Sequence, residues 1–335
     1  MTRIVYQDID EFAEAMRGTV GCFVRTARSV SDWWMESIDL ATSSMQLLQT
    51  GGPFTFAGKG TAGTLTFHMP LTVAAMVRVN GHILNADSFV VLREERPFVW
   101  TGSDACQWVT VAVASNHELA TSVLSSESPN AAVRRRTSKD LLDDITQLID
   151  YALSKDIATD SNATWRQAAE VEIASALTHA LAQSVPAGPI QRSGRPQFSR
   201  SNVIASALAC MNAHDGQPLF IDDLCRATQI SERALRNIFQ EFFGVGPMRL
   251  LKVRQLHEIR AALLRTQPRV ETVTEVAGRF GVLDLSLLAR NYKALFGESP
   301  SRTLHRAPTE SAEGVRVAWL RHASRIFIDV EPPSL

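Results

Sequence analysis

Cysteine is scarce in this chain and its four copies lie far apart, at Cys22, Cys106, Cys210 and Cys225, with no CxxC pair. That spacing offers neither a disulfide framework nor paired metal ligands, and fits buried thiols in a reducing cytoplasm. Long apolar runs are missing too. The longest, LTVAAMV, stops at Arg78, far short of the ~20 residues that a spanning helix needs. The first residues, MTRIVYQDIDEF, set acids where a signal peptide needs an apolar stretch. A cytoplasmic protein without membrane contact is therefore expected. Enzyme signatures are lacking as well: no G-x-S-x-G, P-loop or dinucleotide fingerprint occurs. The histidines of the first half, His68, His82 and His117, form no close His-x-His pair, as a metal-binding facial cluster would require. No metal, cofactor or catalytic residue is predicted, and the protein is read as a non-enzyme.

Net charge is nearly absent, at -1, but this conceals an asymmetry. Residues 190–335 carry 20 Lys+Arg against 14 Asp+Glu, a balance of +6; residues 1–189 carry 14 against 21, a balance of -7. Such a split suits one half that meets a polyanion and one that does not.

What is present divides the same way. Over 19–115, short apolar or alternating runs such as SMQLLQT, TLTFHM, SFVVLRE and QWVTVAVAS are separated by turn-formers, including GGP, GKGTAG and GSD. Many short strands at this spacing predict a sandwich or small barrel. Val79-Asn80-Gly81-His82 predicts a two-residue hairpin. Helical periodicity then appears over 138–154 and 164–184, two helices to pack on the β domain or on a second copy of the chain. Residues 185–197 (VPAGPIQRSGRPQ) read as a linker. From 198 the chain reads as all-helical.

Within that half one arrangement occurs twice. A short helix with a small Ala near its end, Ala227 or Ala277, meets a second helix that finishes in Phe-Gly: SERALRNIFQEFFG, then LSLLARNYKALFG. A small residue permits close, steep packing, as a helix-turn-helix requires. The second helix then protrudes toward a major groove ~12 Å wide. In the first copy Leu235, Ile238 and Phe239 make the inward stripe, leaving Ser231, Arg233, Ala234, Arg236 and Asn237 to face DNA. In the second the outward set is Ser286, Leu287, Arg290 and Lys293. The amphipathic helix over 248–265 is expected to hold the two units apart.

Across 198–307 the sequence resembles the AraC/XylS family of bacterial transcription regulators. PLFIDDLCRATQISERALRNIFQEFFGVGPMRLLKVRQLHEIRAALL looks like the family's first half. The closing run with Tyr292, Phe296, Gly297, Ser299 and Pro300 looks like its signature. SERALRNIFQEFFGVGP, LLK at 250–252 and SPSRTLHR are most similar to the ethanolamine-operon regulator subgroup. Two departures stand out: Gln229 replaces the usual Gly of the first turn, and VLDLSLLAR replaces a polar run. The resemblance implies an α+β multidomain fold. Its parts are a cupin-like β-sandwich or barrel sensor over 1–184 with helices at about 138–184, a linker at 185–197, a double helix-turn-helix domain over 198–307, and a tail at 308–335. It implies double-stranded DNA as partner, a small-molecule effector, RNA polymerase if the protein activates, and a homodimer. Candidate effector contacts are Trp33, Trp34, Phe56, His68, Arg78 and Trp100. The rival readings are a ligand-independent regulator whose first domain only dimerises, and an enzymatic cupin fused to DNA-binding helices.

Overall fold

The fold was analysed in a computed structural model. It describes residues 3–71, 76–85, 87–117, 132–135, 147, 163–186, 200–214, 219–266 and 270–306. The expected helix over 138–154, most of the linker and the tail beyond 307 lie outside the described residues.

The first half is a sandwich of two antiparallel sheets. Its strands are β1 (Ile4–Tyr6), β2 (Thr19–Arg25), β3 (Trp33–Asp39), β4 (Ser43–Gln49), β5 (Phe54–Gly60), β6 (Thr64–Pro70), β7 (Val77–Val79), β8 (His82–Leu84), β9 (Ser88–Leu92), β10 (Pro97–Gly102), β11 (Gln107–Ala114), β12 (Ala132–Arg135) and β13 (Val185–Pro186). The larger sheet runs β1-β3-β4-β11-β6-β9-β12-β13 and the smaller β2-β5-β10-β7-β8. A six-residue helix, α1 (Ile9–Glu14), closes one corner and buries Ile9, Phe12 and Ala13.

The Asn-Gly hairpin forms as read. Val79 pairs with His82 across the turn, and Asn80 and Gly81 both take positive φ, at 49° and 83°, as a type I′ turn demands. GKGTAG differs from its reading as a turn, because β5 runs on through Gly60 before the chain reverses. Gly58 serves close approach, since a Cβ there would lie 2.5 Å from the Val20 carbonyl oxygen, while Gly63 takes the turn at φ 73°.

Clean alternation is blurred because the larger sheet is covered twice. Its inner face, with Trp33, Leu48, Val90 and Trp108, meets Phe54, Phe56, Phe98 and Trp100 of the smaller sheet. Its outer face, with Met45, Leu65, Phe67, Val109 and Val111, is covered by α2 (Ala163–Gln183) through Ala169, Ile173, Leu177 and Ala180. The helix read over 164–184 therefore packs on its own β domain.

The second half is helical: α3 (Arg200–Ala213), α4 (Ile221–Thr228), α5 (Glu232–Phe243), α6 (Pro247–Arg265), α7 (Val273–Arg279), α8 (Leu285–Phe296) and α9 (Pro300–Leu304). Its core gathers Leu208, Leu224, Leu235, Phe239, Leu250, Ile259, Leu263, Val276, Leu288 and Tyr292. The same cluster takes in Val24, Ala57 and Val99 from the outer face of the smaller sheet.

Gln229, the departure noted in the first turn, is the C-cap of α4 and sits in the left-handed region at φ 55°, ψ 30°. A side chain pays roughly 1 kcal/mol there that glycine does not. Gln229→Gly is expected to raise the unfolding free energy of this domain by about 1 kcal/mol, read by urea denaturation. No gain would mean that the glutamine side chain makes a compensating contact.

Candidate nucleic-acid interface and sensor core

In both helical units the turn geometry aims the second helix. In the first, Gln229 reverses the chain and Ser231 caps α5, its side chain accepting from the Ala234 N–H at 3.3 Å. In the second, Gly281 takes φ 72° and Asp284 caps α8, accepting from the Leu287 N–H at 2.8 Å. The glycines that follow α5 and α8, Gly244 and Gly297, are left-handed caps at φ 67° and 77°. Each reading helix is thus 12 residues long and closed at both ends.

The small-residue argument holds for one unit only. Ala277 is fully buried, whereas Ala227 is exposed. In the first unit the neighbouring Thr228 is buried instead; its hydroxyl donates to the Leu224 carbonyl oxygen at 2.7 Å. A folded-back threonine serves there as the compact residue.

Ser231, Arg233, Arg236 and Asn237 are exposed on α5, and Ala234 is half-buried. Arg236 pairs with Glu232 one turn earlier. On α8 Ser286, Arg290 and Lys293 are exposed. Leu287 turns aside: it is half-buried and lines a groove of about 640 Å³ between α6 and α8, with Met248, Lys252 and Asn291. The outer surface includes Leu285 and Ala289 in its place. One turn of helix separates 285, 289 and 293, a spacing that the apolar run LDLSLL conceals. The connecting α6 has 19 residues, about 28 Å of rise.

The effector candidates separate by sheet face. Trp33, Phe56, His68 and Trp100 lie in the sandwich interior and are almost fully buried. Trp34 faces out of the larger sheet beneath the Arg3 guanidinium, 3.8 Å from its ring centroid. Arg78, between inward Val77 and Val79, faces out of the smaller sheet. Trp108, an aromatic of the β region outside the six candidates, belongs to the interior group as well. The His68 and Trp100 rings meet edge-on at 4.8 Å, and those of Trp100 and Trp108 lie tilted at 5.3 Å. Among the described residues, His68 Nε2, Trp100 Nε1 and Trp108 Nε1 are buried without a hydrogen-bond partner. A buried unpartnered polar atom costs about 1–3 kcal/mol, and three in one aromatic patch is a concentrated cost.

His68 shares a hydrogen bond with Thr110 Oγ1 through Nδ1, at 2.9 Å. Burial pushes its imidazole down to about 3. The folded state thus refuses a proton that the unfolded chain takes below its ordinary pKa. Stability contributed by neutral His68 is expected to fall as pH drops from about 6.5 towards 3, and His68→Gln should flatten that slope in pH-dependent melting. An unchanged slope would place the acid sensitivity elsewhere.

No three His, Cys, Asp or Glu side chains among the described residues come together as metal ligands. No described helix is long and apolar enough to cross a membrane.

Two capped helix-turn-helix units joined by one long helix, each with a basic outer surface, define the second half as a helix-turn-helix domain. Residues 224–306 match the family model described as a helix-turn-helix domain. The chain is 37% identical over 113 residues to the probable thc operon regulatory protein of Rhodococcus erythropolis, covering 34% of each chain. It is 31% identical over 140 residues to the XylDLEGF operon transcriptional activator of Pseudomonas putida, 42% of this chain and 41% of that one. The matches therefore span well under half of these relatives' lengths. Among solved structures it overlaps the AraC-like transcriptional activator CuxR at 14% identity and a TM-score of 0.40, over 76% of this chain and 94% of that one; so loose an overlap has no bearing on function.

Proposed function

We propose that the chain is a sequence-specific, DNA-binding transcription regulator, an activator that answers to a small molecule held in the sandwich and acts on RNA polymerase. The observation that carries the DNA-binding part is the duplicated reading helix, with Arg233, Arg236 and Asn237 exposed on α5 and Arg290 and Lys293 on α8. Arginine pairs well with guanine and asparagine with adenine in the major groove. The α6 spacer suits two reading helices in successive major grooves, about one turn (~34 Å) apart. The names of the two relatives above, both operon regulators, support the same reading. The ethanolamine-operon likeness concerns the DNA-binding half and brings no effector with it.

The effector part is supported by the three unpartnered atoms of His68, Trp100 and Trp108. Two indole N–H groups are obligate donors, so the ligand class is one that offers acceptor oxygens to an aromatic-lined site.

Selection of bound duplexes from a random pool, at two salt concentrations, tests the first part. A two-part site with subsites about one turn apart is the expected result, and inserting half a turn between them should abolish binding. Weak binding with a steep salt dependence and no enriched sequence would leave phosphate attraction alone and sink the reading. A metabolite screen followed by thermal shift and tryptophan emission tests the second, since a ligand of the native state must stabilise it.

A further inference from the structure

We propose that the α1–β2 corner of the sandwich is a docking site for the junction of α6 and α8, closed by Arg249 and His257 against the carbonyl oxygens of Thr26 and Arg25, and that docking fixes the second helix-turn-helix unit relative to the first.

The contact has an apolar part and a polar part. Val24, Ala57 and Val99, with Cys22 beside them, belong to the same buried cluster as the helices. Beyond this patch, Arg249 Nη2 donates to the Thr26 carbonyl oxygen at 3.0 Å, and His257 Nε2 meets the Arg25 carbonyl oxygen at 3.3 Å. On its other side His257 stacks edge-on against Phe296 at 5.0 Å. Arg260 lies over the same Phe296 ring, 5.2 Å from its centroid, and 3.9 Å from Glu298. Phe296 and Glu298 close the second unit. His257 of α6 thus touches both the sandwich and the end of α8. The reading surfaces of α5 and α8 stay exposed in the docked state, so docking orients the units without covering them.

Charged groups gather at the corner. Asp10 is faced by Asp8 from its own turn, Cys22 and Arg25 from β2 and Arg260 from α6, while His257 is faced by Arg25, Arg260 and Asp8. Burial first, then Asp8, pushes the Asp10 carboxyl up to about 8, against the two guanidiniums. Burial holds His257 down to about 3. The corner thus holds Asp10 above and His257 below its ordinary value, with Arg260 of α6 drawing the Asp10 carboxyl back towards its charged form.

The native cysteines report on this without DNA. Cys22 lies in the contact, Cys106 is buried in the sandwich and Cys225 lies in the helical domain with its thiol more open. Maleimide alkylation of the full chain is followed by peptide mapping. Val24→Glu is expected to speed Cys22 at least tenfold with Cys106 still protected. If Val24→Glu also exposes Cys106, Arg249→Ala decides, because its loss removes a docking bond from an exposed helix surface. Cys22 reacting at one rate in all variants would overturn the proposal. The consequence for DNA rests on the regulatory reading: Val24→Glu should lose discrimination between correctly spaced and half-turn-shifted sites at least tenfold. Released Cys22 with unaltered discrimination would confirm docking and refute its role in fixing the two units.

Discussion

Arg233→Ala combined with Arg236→Ala is expected to weaken binding to the selected duplex by on the order of 2–4 kcal/mol, about 30- to 1000-fold. Both side chains are exposed on the first reading helix, so neither supports the fold and the loss should appear without a change in melting temperature. Arg236 is paired with Glu232 in the absence of DNA. An exposed pair of this kind is worth at most about 1 kcal/mol, too little to keep the guanidinium from a guanine edge. The pattern of loss separates two roles. Loss confined to one base position means base reading; uniform loss with a shallower salt slope means phosphate contact. Retention of affinity and sequence preference in the double variant, measured by quantitative titration of the selected site, would remove α5 from the interface.

Phe239→Ala is expected to destabilise the helical domain by about 3–5 kcal/mol, a large part of the ~5–15 kcal/mol that holds a domain together. The ring is fully buried and meets Phe243 at 5.2 Å, so truncation leaves a cavity between the reading helix and its neighbours. Tryptophan offers a clean control. Trp33, Trp34, Trp100 and Trp108 all lie in the sandwich strands. Their emission should survive while far-UV helical signal and DNA binding are lost. Loss below 1 kcal/mol in denaturant unfolding would show that the site collapses around the missing ring.

Much of the helical half was legible because its signals are local. Ser231 before a 3.6-residue apolar period, and Gly244 after it, mark the ends of α5 without reference to any distant residue. The outward set on α5 followed from the same period. On α8 the period was harder to read, since Leu283, Leu285, Leu287 and Leu288 make several stripes look equally apolar. Only packing against α6 shows that Leu287 turns into the groove and Ala289 stays out. In the β half the hairpin at Asn80-Gly81 was legible for the same local reason. Strand β5 was not, because the need for Gly58 arises from Val20 on another strand. What sets Trp108 apart from the other β-region aromatics was not legible for a related reason: its unpartnered N–H belongs to an inter-sheet patch that no single strand displays.

The long helix α6 carries one further consequence. Leu250, Leu251, Val253, Leu256, Ile259, Ala262, Leu263 and Leu264 are all buried, so it presents apolar surface on more than one side. Neither flanking unit owns a complete core without it. The second half of the chain should therefore open as one cooperative block in native-state hydrogen exchange, with α6 amides among the last to exchange. A gene cut at Gly246 would yield two fragments that fold only on meeting. The duplicated pattern in the sequence has become, in three dimensions, a single indivisible folding unit.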